Sequence, residues 1–519
     1  MLKLILSCNF WIFYLNLITI IINIICVKNL LHLFQLRDYN AFRYLSYFNF
    51  KYWIFDAFFM GIFVAQILFF NFIFAFLSSL ICLIINSIIF CRIAVGNKTP
   101  IVFTPRLKRI YILAIIILTF PIIFKFGAIF SIILIIFAPI FANYLNFFDK
   151  IKNYLFIKKA KNKLKNSHAL VIAITGSNGK TTVKNILFEM LKTDYKVLAS
   201  PKSFNTPIGL SKFLNESDLN VDFVILEYGA RHKNDVQKLC KIFGANFGII
   251  TEIAPQHLQT FKTVENIAKA KKRLCEYLKQ NPCVYNIDNN YIFDMYKEKQ
   301  GKKFSVSTKN KNADFFASNI VVKDFKTKFD LIFENTKLNC TTPLLGEHNV
   351  TDILLATALA KHLKISNNNL QSTIEHLPFV SHRLEYIKGS VNILDDSYNC
   401  SLSSAKNSIN VLLNCSGKKM VVTPGIIEGG KQQENINFNL GKMLAKVDIV
   451  VIVGKTNKSA LEKGILFQHQ IDTINNDSNN LSTKKILFAP NLENAKQYFS
   501  LLNCNDTLLL LNDLPDDFN

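Results

Sequence analysis

ALVIAITGSNGKTT, residues 169–182, joins an apolar run to a glycine-containing loop. The run from 169 to 175 is continuous and rich in β-branched residues, which is typical of a strand buried on both faces. Apolar residues then recur at helical spacing from Val183 to Leu191, so the loop should lead directly into a helix. This order predicts a phosphate site, because free backbone N–H groups and the positive end of the helix dipole face the loop.

The loop also supplies the side chains that a nucleoside triphosphate needs. Gly176 and Gly179 allow the backbone to bend and approach phosphate closely. Lys180 should reach the β- and γ-phosphates, and Thr181 should bind Mg²⁺. The pattern is T-G-x-x-G-K-T, shorter than the common G-x-x-x-x-G-K-[ST], because Ile174 stands where the first glycine would be. The predicted ATP-binding residues of the loop are Thr175, Gly176, Ser177, Asn178, Gly179, Lys180, Thr181 and Thr182.

The composition changes abruptly near residue 150. Residues 1–150 contain 12 Lys and Arg, 3 Asp and no Glu, and the first glutamate of the chain is Glu189. This part has long apolar runs, and a membrane span needs about 20 apolar residues, so we expect about five transmembrane helices. The runs are 4–27, 53–91 (two spans), 110–124 and 127–147.

Basic residues flank these runs, and six lysines follow them between 151 and 165. The positive-inside rule places such segments in the cytoplasm. We therefore expect an all-α membrane region at 1–150, a Lys-rich cytoplasmic linker at 151–167 and catalytic domains in the cytoplasm. The expected location is the inner (cytoplasmic) membrane, as a multi-pass protein. The alternative is a buried, all-helical soluble domain.

The net charge of +23 raises the question of a nucleic-acid partner. The chain shows no recognised nucleic-acid motif and no aromatic-rich basic stripe, so we expect no nucleic acid among its partners. The 11 cysteines are scattered singly and no CxxC pair occurs, which argues against a disulfide framework or a zinc site.

Several separated motifs between about 168 and 519 resemble the Mur ligases, which add amino acids or peptides to the muramoyl peptide of bacterial cell walls. TGSNGKTT is most similar to the type that adds D-alanyl-D-alanine. SFNTPIGL, 203–210, is similar to an Asn-rich loop of the family. The other matching motifs are VILEYGA (224–230), APQHLQTF (254–261) and ENIAKAKKRL (265–274).

The resemblance implies a site for two Mg²⁺ ions. Thr181 and Glu227 would hold one ion, and His257 and a carbamylated Lys271 would hold the other. Carbamylation converts a cationic side chain into an anionic oxygen ligand, which suits a hard cation such as Mg²⁺.

The resemblance also implies roles for residues farther along the chain. YNIDN, 285–289, and LLGEHNVTDILLA, 344–356, would place Asn286 and Asn349 nearest the adenine. SHRLEYI, 381–387, and LDDSYNCSLSS, 394–404, would supply Arg383 and Asp396 to ATP. The implied substrate residues are Asn205, Thr206 and Asn399. The implied catalytic residues are Lys180, Glu227, His257, Lys271 and Arg383.

The implied fold class is α/β, with a P-loop ATPase domain at 168–377 and a Rossmann-like domain at 378–519, preceded by the transmembrane region. The implied activity is ATP-dependent amide formation through an acyl phosphate, with UDP-N-acetylmuramoyl-tripeptide and D-alanyl-D-alanine as substrates. The expected further partners are the lipid bilayer and membrane enzymes of cell-wall synthesis.

The sequence departs from the family pattern at several places. Glu252 stands where Asn is usual, and no UDP-sugar-binding domain is recognisable at the N-terminus. Another Mur-like or folylpolyglutamate-type ligase is therefore an alternative, although the folate enzymes usually carry Gly-Ser where this chain has Thr181 and Thr182. An ATP-driven transporter would need a signature motif that we do not find. A non-catalytic membrane scaffold would not need the intact Lys180, Glu227, His257 and Lys271.

Overall fold

The computed structural model describes residues 103–123 and 147–512, apart from 399, 428–431 and 476–484, together with isolated positions within 21–35 and 137–144. The chain divides into two compact units, Met1–Leu155 and Phe156–Asn519. The helices described first are α1 (Pro105–Ile123) and α2 (Phe147–Lys165).

Helix α1 covers residues 110–123 of the predicted span 110–124, and its apolar part is shorter than a span requires. Three cationic residues lie among its first five, and residues 110–123 then rise only about 21 Å, against a hydrocarbon core of about 30 Å. Across the described stretches, no helix meets the length and apolarity that a span requires. The expected all-α transmembrane region is therefore wrong, and so is the expected location as a multi-pass membrane protein. The other predicted spans, 4–27, 53–91 and 127–147, lie wholly or largely outside the described residues.

Helix α2 covers most of the predicted linker 151–167. Its residues Ala160 and Leu164 are buried in the core of the second unit, so this segment packs as a helix and is not a free connector. Lys163 Nζ donates to the carbonyl oxygen of Asn215 at 3.1 Å, which ties the same helix to the unit.

The first sheet of the second unit has nine strands in the order β2-β3-β1-β4-β5-β6-β7-β8-β9. The strands from β2 to β7 pair in parallel, and β8 and β9 extend the sheet as antiparallel strands. The strands are β1 (Leu170–Thr175), β2 (Val197–Ala199), β3 (Phe223–Glu227), β4 (Phe247–Ile250), β5 (Cys283–Asn286), β6 (Lys303–Ser307), β7 (Phe315–Lys323), β8 (Lys326–Phe333) and β9 (Thr336–Thr342).

Helices connect and cover these strands. Their bounds are α3 (Lys180–Leu191), α4 (Pro207–Glu216), α5 (Asp235–Phe243), α6 (Leu258–Phe261), α7 (Val264–Leu278), α8 (Asn290–Glu298), α9 (Glu347–His362) and α10 (Asn367–Glu375). Helix α3 buries Val183, Ile186, Leu187, Met190 and Leu191 against the sheet, the spacing expected for an amphipathic helix. The predicted strand, loop and helix at 169–191 are therefore confirmed.

The second sheet has six strands in the order β10-β11-β15-β12-β13-β14. Strand β10 is antiparallel to β11, and the other pairs are parallel. The strands are β10 (Glu385–Lys388), β11 (Asn392–Asp396), β12 (Lys419–Thr423), β13 (Ile449–Val453), β14 (Lys485–Ala489) and β15 (Thr507–Leu511). The helices are α11 (Leu402–Leu413), α12 (Gln433–Leu444), α13 (Lys458–Asn475) and α14 (Leu492–Ala495), followed by a 3₁₀ turn (Lys496–Leu501).

Register in the first sheet brings three strand ends together. Ile174 of β1 lies beside Glu227 of β3, and Thr175 lies beside Ile250 of β4. Because these strands are parallel, the loops that follow them meet at one edge, where ligands bind in open α/β sheets. The α/β part of the predicted fold class thus holds for the second unit.

Candidate active site

The loop 175–179 lies at the carboxyl edge of the first sheet, between β1 and α3. Gly179 has a φ of +82°, and a Cβ atom there would lie 2.5 Å from Oδ1 of Asp352. A Cβ atom at Gly176 would collide with the side chain of Thr251. Both positions therefore require glycine, one for its backbone conformation and space and the other for space alone.

Lys180 is held over this loop. Its Nζ donates to the carbonyl oxygens of Gly176 and Ser177, each at 2.7 Å. Burial lowers the pKa of Lys180 to about 8, although the nearby Glu227 carboxylate acts in the opposite direction. The ammonium group thus lies where the phosphates of a nucleotide would enter the loop.

A carboxylate, a hydroxyl and a guanidinium group meet at the end of β3. Glu227 is fully buried, and its Oε2 accepts from Thr181 Oγ1 at 3.2 Å. Its Oε1 lies 2.8 Å from Lys184 Nζ. Arg383, which precedes β10, donates from Nη2 to Thr181 Oγ1 at 3.4 Å. Glu227 at the end of β3 and Arg383 just before β10 therefore converge on Thr181.

A cavity of about 280 Å³ opens beside these groups. It brings all five predicted catalytic residues together with most of the predicted loop residues. The predicted residues that line it are Gly176, Ser177, Asn178, Gly179, Lys180, Thr181, Asn205, Glu227, His257, Lys271 and Arg383.

His257 and Lys271 face the cavity from the segments after β4. His257 has a φ of +51° at the start of α6, and Lys271 lies on α7 with only 3% of its surface exposed. Burial, with Lys180 nearby, lowers the pKa of Lys271 well below its usual range. A neutral amine is therefore favoured at this position, and a neutral amine is the form that reacts with carbon dioxide.

The donor atoms at Thr181 and Glu227 fit a magnesium ion. Both are hard oxygen donors, and Mg²⁺ commonly uses one or two protein ligands and takes the rest from phosphate and water. Within the described ranges, no group of three or more His, Cys, Asp or Glu side chains forms a metal cluster. The two oxygen donors of Thr181 and Glu227 leave coordination positions for phosphate and water, as an ion bound with a nucleotide needs.

Other predicted site residues lie outside the cavity lining, and two of them bond to the backbone. Thr175 Oγ1 donates to the carbonyl oxygen of Tyr228 at 2.8 Å. Thr206 caps α4 by accepting from the backbone N–H of Gly209 at 3.2 Å. Thr182, another predicted residue of the loop, is buried on α3.

The predicted adenine and closing residues are also set back from the cavity lining. Asn286 ends β5, and Asn349 donates from Nδ2 to the carbonyl oxygen of Leu345 at 2.8 Å. Asp396 ends β11, where Ser408 Oγ donates to its Oδ2 at 2.5 Å. Burial raises the pKa of Asp396 to about 6, and the Ser408 bond opposes this rise. Asn399 lies outside the described residues.

The structure adds residues that the sequence reasoning missed. Ser203, Arg231, Gln256 and Tyr398 also line the cavity. The Ser203 and Tyr398 hydroxyl oxygens lie 2.6 Å apart, so they form a hydrogen bond. Ser203 lies in the motif SFNTPIGL and Tyr398 in the motif LDDSYNCSLSS, so their positions within these motifs could have indicated both residues.

Further contacts link the phosphate loop to the second sheet. Asn178 Nδ2 donates to Glu252 Oε2 at 2.7 Å and to Ser401 Oγ at 2.9 Å. The Arg383 guanidinium carbon lies 4.4 Å from the ring centroid of Tyr398, a cation–π contact. The segments near β10 and β11 thus form one wall of the cavity.

A second, larger cleft of about 710 Å³ lies at the opposite, amino-terminal edge of the first sheet. Residues before β4 and β5, including Ala245 and Asn281, line it, and it contains no residue of the phosphate loop. The predicted catalytic residues line the smaller cavity, so cavity size alone does not identify the candidate site.

Comparison with known proteins adds independent findings. Residues 174–360 match the model of the Mur ligase middle domain. A UDP-N-acetylmuramoyl-tripeptide--D-alanyl-D-alanine ligase of Buchnera aphidicola subsp. Baizongia pistaciae is 31% identical over 329 residues, which cover 62% of this chain and 72% of the relative. A ligase of the same name from Bacillus subtilis is 29% identical over 345 residues, covering 65% and 73%.

A solved structure shares the fold. The structure of MurF ligase from Thermotoga maritima in complex with ADP superposes with a TM-score of 0.61 and 23% identity, covering 70% of this chain and 80% of that chain. At this identity the likeness concerns the fold alone. It agrees with the two-sheet architecture of the second unit.

Proposed function

This chain belongs to the Mur ligase family, and from that premise we propose that it joins D-alanyl-D-alanine to UDP-N-acetylmuramoyl-tripeptide at the expense of ATP. The observation that supports this most is the convergence of Lys180, Thr181, Glu227, Lys271 and Arg383 around one cavity beside the phosphate loop. Such a site suits phosphoryl transfer, which depends on positioning and charge neutralisation.

The reaction would proceed in two steps. A carboxylate is a poor electrophile, so the tripeptide carboxylate first attacks the γ-phosphorus of ATP, which forms an acyl phosphate and releases ADP. The amine of D-alanyl-D-alanine then attacks the acyl carbon. The tetrahedral intermediate expels phosphate and the amine loses a proton, which leaves the new amide bond.

The side chains of this chain have distinct parts in that scheme. Lys180 and Arg383 would balance the charge of the triphosphate and of the transferring phosphoryl group. Thr181 and Glu227 would hold Mg²⁺, which when bound adds charge neutralisation at the phosphates. His257 and Lys271 would hold a second ion, and Asn205 would contact the substrate.

Carbamylation of Lys271 is part of this proposal. The neutral amine would add to carbon dioxide, forming an N–C bond and releasing a proton. The resulting carbamate would present oxygen ligands to Mg²⁺, in place of an ammonium group that would repel the ion. The burial of Lys271 supports this assignment, because burial disfavours the ammonium form.

We further propose that 168–377 and 378–519 act as two domains. The first sheet lies within the former range and the second sheet within the latter. Closure of the second domain would exclude water from the acyl phosphate, which hydrolyses readily. In this proposal Asp396 and Asn399 move with the closing domain, and Asn286 and Asn349 contact the adenine.

The test is phosphate release from ATP by the full chain, with UDP-N-acetylmuramoyl-tripeptide present and D-alanyl-D-alanine added or withheld. We expect release to require both substrates and the product to have the mass of the pentapeptide. Stimulation by neither substrate would contradict the proposal. Stimulation by the tripeptide with a different amine would favour the alternative of a Mur-like ligase with another acceptor.

A further inference from the structure

Lys184 is a buried lysine that none of the roles above uses. It lies on α3, one helical turn after Lys180, and only 2% of its side chain is exposed. Its Nζ lies 2.8 Å from Glu227 Oε1 and donates to the carbonyl oxygens of Ser200 at 2.6 Å and Lys202 at 2.5 Å. Two of its protons thus have carbonyl acceptors, and the Glu227 carboxylate balances the charge as an ion pair.

Removing a partner of this buried ammonium group would destabilise the folded protein. A lysine usually keeps its charged end in water, and an unpaired charge inside a protein is strongly destabilising. Here one carboxylate and two carbonyl oxygens replace the water. Lys184 therefore ties together three segments: helix α3, the end of β3 and the loop 200–206.

The contact with Glu227 selects which carboxylate oxygen faces the cavity. Oε1 is directed to Lys184, and Oε2 is directed to Thr181 Oγ1 at 3.2 Å. The side chain of Glu227 is fully buried, so its orientation depends on these neighbours and not on water.

The contacts with the loop 200–206 act on the same cavity. Lys202 has a φ of +47°, a conformation that a residue other than glycine keeps only when its surroundings hold it. The loop then presents Ser203 and Asn205 to the cavity. The carbonyl oxygen of Asn205 accepts from the backbone N–H of Gly229 at 3.1 Å, so the loop also contacts the segment that follows Glu227.

We propose that Lys184 is a positioning residue that orients Glu227 toward the metal site and fixes the loop 200–206 beside the cavity. This inference rests on the proposed function for one point only, the role of Glu227 as a magnesium ligand. It concerns binding of the Mg²⁺–nucleotide complex and does not depend on which acceptor the enzyme uses.

The test is the Lys184→Met variant of the full chain, which keeps the length of the side chain and removes the charge. ADP binding is measured by calorimetry with excess Mg²⁺ and with EDTA. We expect the affinity in Mg²⁺ to fall about tenfold or more, the usual effect of losing the partner of a metal ligand, and the affinity in EDTA to stay within about twofold. The control is Lys192→Met, at the residue directly after α3, whose exposed side chain pairs with Glu189. This variant should bind ADP as the original chain does.

Hydrogen exchange of the amides in 200–206 provides a readout besides nucleotide binding. We expect Lys184→Met to raise their exchange rates about tenfold, because two carbonyl contacts of the loop are lost. Equal losses of ADP affinity in Mg²⁺ and in EDTA would indicate a general structural role and overturn the proposal. An unchanged affinity together with unchanged exchange would overturn it as well.

Glu227→Gln keeps the proposal testable if Lys184→Met does not fold. Loss of the carboxylate charge should loosen Lys184 and raise exchange in 200–206, and unchanged exchange would overturn the link. If both variants fold, adding Lys184→Met to Glu227→Gln should weaken Mg²⁺–ADP binding by less than about threefold, because both changes remove the same interaction. The two proposals can fail separately. If the original chain shows no ligase activity, but Lys184→Met still weakens ADP binding in Mg²⁺ and not in EDTA, the proposed function fails and this inference stands.

Discussion

The side chains that line the cavity carry an excess of positive charge. Lys180, Arg231 and Arg383 face it together with one buried carboxylate, Glu227, among the residues that the structure describes. Like charges at close range cost free energy, so the arrangement is best balanced when a polyanion enters. At the scale of single residues, the site is therefore prepared for a nucleoside triphosphate.

Replacing Lys180 by methionine tests this preparation. We expect ATP-dependent phosphate release to fall by about a thousandfold or more, because charge neutralisation at the transferring phosphoryl group is lost. Folding, followed by circular dichroism, should be retained. Lys337→Met is the matched control, since that exposed lysine pairs with Asp330 far from the cavity. A variant that keeps a tenth of the original rate would contradict the assignment.

His348 gives a prediction for pH. Burial lowers its pKa to about 4, and its Nδ1 has no hydrogen-bond partner in the described part of the chain. The unfolded chain would titrate this histidine near pH 6.5, so it binds more protons than the folded chain between about 4 and 6.5. Stability should therefore fall as the pH drops through that window. Urea unfolding at several pH values should show that the free energy of unfolding of His348→Gln falls less across this window than that of the original chain.

The control for this experiment is His232→Gln, because the side chain of His232 is largely exposed. It should leave the slope of stability against pH unchanged. An unaltered slope in His348→Gln would show that another group causes the acid sensitivity.

Single residues were predicted unevenly from the sequence. Lys180 and Glu227 could be found because they stand inside motifs with fixed spacing to a strand end. Lys184 could not, because one lysine among the many of this chain looks the same whether its end is buried or in water. Thr206 caps α4 in the structure, and its predicted contact with substrate stays a prediction, since a threonine before a helix serves either purpose.

At the scale of elements, local pattern and long-range pairing contribute differently. The strand, loop and helix at 169–191 follow from burial and spacing within a short window, and the sequence predicts them well. The order β2-β3-β1-β4 and its register depend on contacts between distant segments. Which motif residues meet at the carboxyl edge is therefore decided by pairing that a single sequence does not display.

The phosphate loop should not tolerate a side chain at Gly179. Alanine there would adopt a φ of +82° and place its Cβ 2.5 Å from Asp352, so both strain and a clash arise. We expect Gly179→Ala to lower ADP affinity by at least about tenfold and the free energy of unfolding by about 1–3 kcal/mol. Calorimetry and urea unfolding measure the two effects.

Gly389→Ala is the comparison for this change. A Cβ atom at Gly389 meets nothing closer than a carbonyl oxygen at 3.4 Å, and its φ lies outside the left-handed region. This variant should have the same free energy of unfolding and the same ADP affinity as the original chain. Equal effects at both glycines would argue against the special geometry of the loop.

At the scale of the whole molecule, hydrogen bonds connect the segments beside the two sheets of the second unit. Ser203 with Tyr398, and Asn178 with Ser401, are hydrogen bonds that join segments of the first sheet to segments near β11. The transmembrane region predicted for residues 1–150 was wrong, although it rested on the length of the apolar runs and on the basic residues beside them. In α1 the cationic residues of the first turns shorten the apolar length below that of a span.

Tyr398→Phe tests the contact between the sheets. The change removes the hydroxyl bonded to Ser203 and keeps the ring beside Arg383. We expect the lost hydrogen bond to destabilise the form in which the second domain is closed over the cavity by about 1 kcal/mol. This loss should lower kcat/KM about fivefold. Tyr498→Phe removes a similar bond, to the carbonyl oxygen of Phe488, away from the cavity and should leave kcat/KM unchanged. Equal effects in the two variants would contradict the role of this contact.

The strand order of the second sheet has a consequence for biosynthesis. Strand β15 lies between β11 and β12, yet it follows every other strand of that sheet along the chain. While a ribosome makes the protein, β11 and β12 emerge early and their facing edges stay unpaired until Thr507–Leu511 leaves the exit tunnel. Folding of this part is thus delayed until β15 has been made, and a message cut short before β15 would yield a chain whose second sheet lacks a central strand.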